Sequence, residues 1–223
     1  MTNATRKPPP PRTSSRPRTL QRDPGHLGPA RAGPAAHPVG MTKRRTFPGW
    51  RWAAVALAFP IAGLIAWKIG GHVDALDAAL IGGALTGAGL GAVQWWAADG
   101  ALGRPSAWVG ASALGYAVGL AAAAALVGYG TGLGDLALMG LVSGALLGAA
   151  QGVALARDGR DELALPWALA TPALFALGWC ASTGIGLDVD AQYTVFGAAG
   201  AIAFTLLSGL VLARFTPTRT AVT

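Results

Sequence analysis

From Trp52 to Leu212 the chain alternates long apolar runs with short polar gaps. The runs are close to the roughly 20 residues that a helix needs to cross the hydrocarbon layer of a bilayer. They predict six spans, at 52–69, 78–97, 107–128, 136–156, 165–183 and 192–213, with connections at 70–77, 98–106, 129–135, 157–164 and 184–191. A helix wetted on one side carries a charged face, and none of these runs has one. Asp, Glu, Lys, Arg and His are missing from the middle of every span. The expected fold is an all-α membrane protein. Its transmembrane domain covers 49–215, after a basic Pro/Arg-rich tail at 1–48 and before a short cytoplasmic tail at 216–223.

The small residues add a second level of order. Gly83, Gly140 and Gly197 are 57 residues apart, and at that interval Gly87 matches Gly144 and Ala201, while Gly91 matches Gly148 and Thr205. Gln94, Gln151 and Ser208 keep the same step, and the residues after them are Trp95, Gly152 and Gly209. The Ala-Leu-Ala-x-Pro of 56–60 returns at 168–172, near two intervals on. A period of this length marks one supersecondary unit repeated, here a two-helix hairpin. Two spans per unit keep all units in one orientation, so the expectation is three tandem, co-oriented hairpins related by an axis along the membrane normal.

Glycine on Gly83, Gly87 and Gly91, and on Gly140, Gly144, Gly148 and Gly152, falls once per turn on nearly one face. In lipid such a stripe lets backbones approach closely, and van der Waals packing drives the association. These seven, with Gly197 and Gly209, are the candidate helix-packing residues. The expected arrangement puts spans two, four and six at the centre and spans one, three and five outside them.

Composition agrees with a membrane domain: 52% of the 223 residues are hydrophobic and 12% charged, against about 25% charged in an average soluble domain. Charge then sets a direction. Lys43, Arg44, Arg45, Arg51, Arg104, Arg157, Arg160, Arg214 and Arg219 collect on one side of the six spans, and only Lys68 on the other. By the positive-inside bias both termini are cytoplasmic. The net charge of +7 follows from that bias and from the tail, so nucleic acid is not an expected partner. Trp50, Trp52, Trp95, Trp96, Trp108 and Trp167 fall near the inner interface and Trp67 and Trp179 near the outer one, the expectation for an aromatic belt.

Residues 1–40 are rich in Pro, Arg, Ser and Gly and cannot build a core, so they are expected to be disordered. Met41-Thr42-Lys43-Arg44-Arg45 reads as an ordinary start, and Met41 is the expected initiator. Lys43-Arg44-Arg45-Thr46-Phe47 is similar to a twin-arginine signal. The run after it, however, is of full span length without an A-x-A cleavage site, the pattern of an uncleaved first helix.

Candidate chemistry is sparse. Gln94 and Gln151, with Ser208 in the third unit, lie about a turn inside the cytoplasmic interface. They either line a polar solute path or hydrogen-bond between helices, the commoner use of such residues in membranes. Thr131-Gly132-Leu133-Gly134-Asp135 and Thr183-Gly184-Ile185-Gly186 could cradle phosphate. With no preceding strand and no Walker lysine they read as turns. Asp74, Asp77, Asp135, Asp188 and Asp190 gather outside, where an oxygen-liganded cation competes with simple solvation. His72 is the only histidine after the tail and Cys180 the only cysteine, against histidine- or cysteine-based metal sites. No GxSxG, HExxH or P-loop occurs, and Ser112, Ser143 and Ser208 have no basic partner in the spans. The expectation is no catalytic residue, no cofactor and no metal.

The helix Gly83–Ala97, closing in Gln94-Trp95-Trp96-Ala97, resembles a pattern in uncharacterised bacterial membrane proteins, with glycine-rich spans ending in Gln-Trp before a basic inner loop. The second and third units depart from it, with Gln151-Gly152 and Ser208-Gly209. The resemblance implies no activity. High Ala, Gly, Pro and Arg usage suits a GC-rich bacterial genome. Two functions fit: a structural or accessory component of the cytoplasmic membrane, contacting lipid and other membrane proteins or itself, or a small-solute channel without ion coupling.

Overall fold

In a computed structural model, residues 49–185 and 195–216 are described. The tail and Met41, Gly186, Asp188, Asp190 and residues 217–223 lie outside them. The described residues are helical, without a strand: α1 (Gly49–Trp52), α2 (Ala54–Gly70), α3 (Leu76–Ala97), α4 (Pro105–Leu126), α5 (Leu133–Arg157), α6 (Asp161–Gly184) and α7 (Ala198–Phe215). Six stretches are long and apolar enough to cross a membrane, with α1 and α2 together making the first, Gly49–Gly70. Ala and Leu dominate them, the residues that lose least on entering a helix.

The helices stop where local chemistry requires. After α3, Asp99 and Gly100 take φ of 49° and 87°; after α5, Gly159 takes 69°, a conformation that glycine reaches cheaply. Pro105 opens α4 at its first turn, where a missing N–H costs nothing. The sixth span begins at Ala198, later than the expected 192. Val195 and Phe196 precede the helix, Gly197 is its extended N-cap, and Phe196 tucks into the core. Gly197 therefore ends a loop rather than sitting mid-helix as Gly83 and Gly140 do.

The helices form a closed ring in chain order, each of α2 to α7 touching the next and α7 returning to α2. Among the described residues the backbones of α3, α5 and α7 do not approach one another. Spans two, four and six are thus not the centre of the bundle. The glycine stripes of spans two and four grip the span that follows each in the chain. A Cβ on Gly83 would lie 2.8 Å from the Ala117 Cα, and one on Gly87 would strike the Ser112 carbonyl. On α5, a Cβ on Gly140 would lie 2.7 Å from the Ala176 Cα, on Gly144 2.8 Å from the Pro172 Cα, on Gly148 2.9 Å from the Ala168 carbonyl, and on Gly152 3.1 Å from the Ala164 carbonyl. The facing helices answer with their own small residues, so short loops and complementary surfaces bring neighbours together. In both seams the contacts climb one helix as they descend the other.

Large side chains fill the middle. Phe59 of α2 stacks on Phe196 at 4.7 Å and meets Phe204 of α7 edge-on at 5.1 Å. Phe175 of α6 contacts Phe196, Phe204 and Tyr116 of α4 at 5.3–5.5 Å. Such edge-to-face and offset pairs are worth roughly 0.5–1.5 kcal/mol beyond their buried area.

Candidate functional site

Gln94, Gln151 and Ser208 are buried, with hydrogen bonds to neighbouring helices. Gln151 lies on α5 between Gly148 and Gly152 of the stripe, within reach of both α4 and α6. Its Oε1 accepts a hydrogen bond from the Trp167 indole N–H at 2.8 Å. Its Nε2 donates to Ser112 Oγ at 2.8 Å and, at 3.5 Å, to Gln94 Oε1. Ser112 Oγ in turn donates to the Trp108 carbonyl one turn back at 2.8 Å. At the closing seam Trp52 Nε1 donates to the Thr205 carbonyl at 3.0 Å and to Ser208 Oγ at 3.2 Å. Gln94 and Gln151 are 1% exposed and Ser208 0%.

The structure thus brings all three sequence-selected polar residues into the protein interior, two of them directly in contact. The sequence reading missed their partners, the indoles. Trp52, Trp108 and Trp167 are buried against one another, Trp167 meeting Trp108 at 5.6 Å and Trp52 at 6.4 Å. Trp179 is buried as well. The aromatic-belt expectation is therefore corrected for these four; Trp50, 78% exposed, and Trp96 lie on the surface. A signal was available: Trp52, Trp108 and Trp167 recur at nearly the 57-residue step, and Phe59, Tyr116 and Phe175 follow them by seven or eight residues.

Among the described residues, charged groups lie at the ends of the helices and in the connections between them. Arg51 pairs with Asp99 at 3.4 Å and lies over the Trp96 ring at 4.4 Å. Asp158 accepts from the Arg104 backbone N–H and from its Nε at 2.8 Å. The Arg104 backbone N–H bond above all holds the Asp158 carboxyl below its ordinary 3.8; desolvation, next in size, opposes it, and the Arg104 guanidinium and the Arg160 charge add to the lowering. Gly103 must be glycine here: φ is 76°, and a Cβ would run into the Asp158 carboxylate. Arg160 donates to the Gly100 carbonyl at 3.0 Å. The two connections after α3 and α5 are thereby tied together.

At the other end, the Asp135 carboxylate lies beside Gly130 and Gly132, where an added Cβ would meet it. Asp77 accepts from the Ala78 N–H at 2.9 Å, at the start of its own helix. Among the described residues no three His, Cys, Asp or Glu side chains come together as metal ligands. Compared with protein-family models, curated proteins and solved structures, the chain matches none.

Proposed function

We propose that this chain is a structural or accessory component of a bacterial cytoplasmic membrane, working through its lipid-facing surface on other membrane proteins or further copies of itself, without catalysis or solute flux. In this reading it is three co-oriented hairpins of about 57 residues, with both termini cytoplasmic. The matching contact registers of the α3–α4 and α5–α6 seams support the repeat, and the asymmetry of Lys and Arg supports the orientation.

One observation carries the choice over a channel. A group that lines a water-filled passage keeps surface that water can reach. Gln94, Gln151 and Ser208 keep almost none, and Gln151 and Ser208 are bonded to indoles and to the Ser112 hydroxyl. The rings of Phe59, Phe175, Phe196 and Phe204 pack directly on one another and are buried as well.

Stopped-flow light scattering on proteoliposomes tests this with glycerol and urea as neutral solutes. The expected trace matches protein-free vesicles. Faster equilibration that disappears with Gln151→Leu would establish the channel instead.

A further inference from the structure

The glycines that lock α3 on α4 and α5 on α6 are replaced where α7 meets α2. An added Cβ on Gly91 would lie 2.7 Å from Ser112, and one on Gly148 2.8 Å from Thr171. One further step of the same interval gives Thr205, a whole side chain, 5% exposed. Its hydroxyl is spent on nothing. Ser112, Ser143 and Thr171, also buried, each donate to the carbonyl one turn back, at 2.8, 2.6 and 2.7 Å. Thr205 Oγ1 has no partner among the described residues. A buried hydroxyl without a partner costs stability, and an apolar group of the same shape would suit the closed seam better.

Three other features fall on this seam. First, α2 and α7 are far apart in the chain, so no short connection holds them together, whereas 98–104 and 158–160 join the glycine seams. Second, Pro60 follows Phe59 inside α2. It has no N–H for the Ala56 carbonyl, so α2 bends most easily at the level of the ring contacts. Third, what parting would give up there is aromatic, Phe59 on Phe196 and Phe204, flanked by the exposed Leu57 and Leu206. Acyl chains can replace apolar contacts of this kind, because lipid supplies no hydrophobic force between helices. They cannot replace the bonds from Trp52 Nε1 to the Thr205 carbonyl and Ser208 Oγ.

We propose that the ring opens sideways at the α7–α2 seam. The two helices part at Phe59 and Phe204 toward the hydrocarbon and pivot on the Trp52 bonds, while the Thr205 hydroxyl keeps the closed form from becoming too stable to part. The glycine seams stay shut, since backbones in contact leave nothing to repack. The opening faces lipid, so the interior stays closed to water.

Nitroxide pairs in lipid nanodiscs test this by pulsed dipolar spectroscopy, in a Cys180→Ser background. Leu57→Cys with Leu206→Cys spans the α7–α2 seam, and Leu141→Cys with Leu177→Cys, also exposed, spans α5–α6 as the reference. The α7–α2 pair gives a broad or two-peaked distance distribution and the reference a narrow one. Thr205→Val, which keeps the shape and removes the hydroxyl, shifts the α7–α2 pair to its shorter distances, and Thr205→Ser leaves the longer ones populated. Without labels, Thr205→Val raises the melting temperature by about 2 °C or more, whereas Thr171→Val, which loses a made bond, does not raise it. An α7–α2 distribution as narrow as the reference overturns the opening. A lowered melting temperature for Thr205→Val overturns the role of its hydroxyl.

Discussion

Two seams of the ring solve the same packing problem with different chemistry. Between α5 and α6 the backbones themselves touch, because Gly140, Gly144, Gly148 and Gly152 leave no side chain between them and the facing Ala176, Pro172, Ala168 and Ala164. Between α7 and α2 the glycine places hold Ala201 and Thr205, and the helices meet through Phe59, Phe204 and Phe196 and through Trp52 on Thr205 and Ser208. The comparison teaches where rigidity comes from. A backbone seam has no rotamers to adjust and tolerates no added atom, whereas a side-chain seam can repack.

That difference orders the mutational effects. Gly144→Leu places a branched side chain where even a Cβ lies 2.8 Å from the Pro172 Cα and the Thr171 carbonyl, and should cost about 3 kcal/mol or more. Unfolding in mixed detergent micelles would show it as a large fall in the midpoint, and an unchanged midpoint would break the comparison. Phe59→Ala should cost about 2 kcal/mol, below the usual aqueous range because lipid supplies no hydrophobic driving force and chiefly the cavity term remains. It should loosen the closing seam selectively, which hydrogen exchange reads as faster exchange in α2 and α7 than in α5 and α6.

The ties outside the seams are weaker. Asp158→Asn removes the carboxylate that receives the Arg104 N–H and guanidinium and should lower the melting temperature slightly at neutral pH. The folded-state pKa is depressed, so the stabilisation is present above the unfolded value near 3.8 and fades as pH falls through and below it. Melting curves from pH 6 to pH 3 should therefore fall less steeply for Asp158→Asn than for the wild type. Equal slopes would remove the carboxylate from the account.

The spans were legible because a bilayer demands long apolar runs, and five of the six lie within a few residues of the expected places. The glycine stripes were legible for the same reason, as contact surfaces. What they contact was not. In water, periodicity separates the buried face from the wet one, but a membrane helix is apolar on both its lipid face and its protein face. Nothing in the order of Trp50, Trp52, Trp95 and Trp96 says which points inward; the structure exposes the first and last and buries Trp52. Stripe residues were accordingly paired with each other when their partners are the small residues of the next span. The hydrogen-bonding role of Gln94 and Gln151 was foreseen, and the tryptophans completing it went unseen because they suited an interfacial belt equally well.

The central claim is a closed interior at the level of Gln94, Gln151 and Ser208. Thiol accessibility in native membranes measures it most directly, using Ser208→Cys, a near-isosteric change at a fully buried place, in a Cys180→Ser background that leaves no other thiol. Ser106→Cys, on an exposed position of α4, serves as the accessible reference. The account predicts that a small water-soluble maleimide modifies the reference readily and leaves the thiol at position 208 unmodified until the protein is unfolded. Modification of position 208 in the folded protein at a rate comparable to the reference would contradict the closed interior and restore a water-filled path.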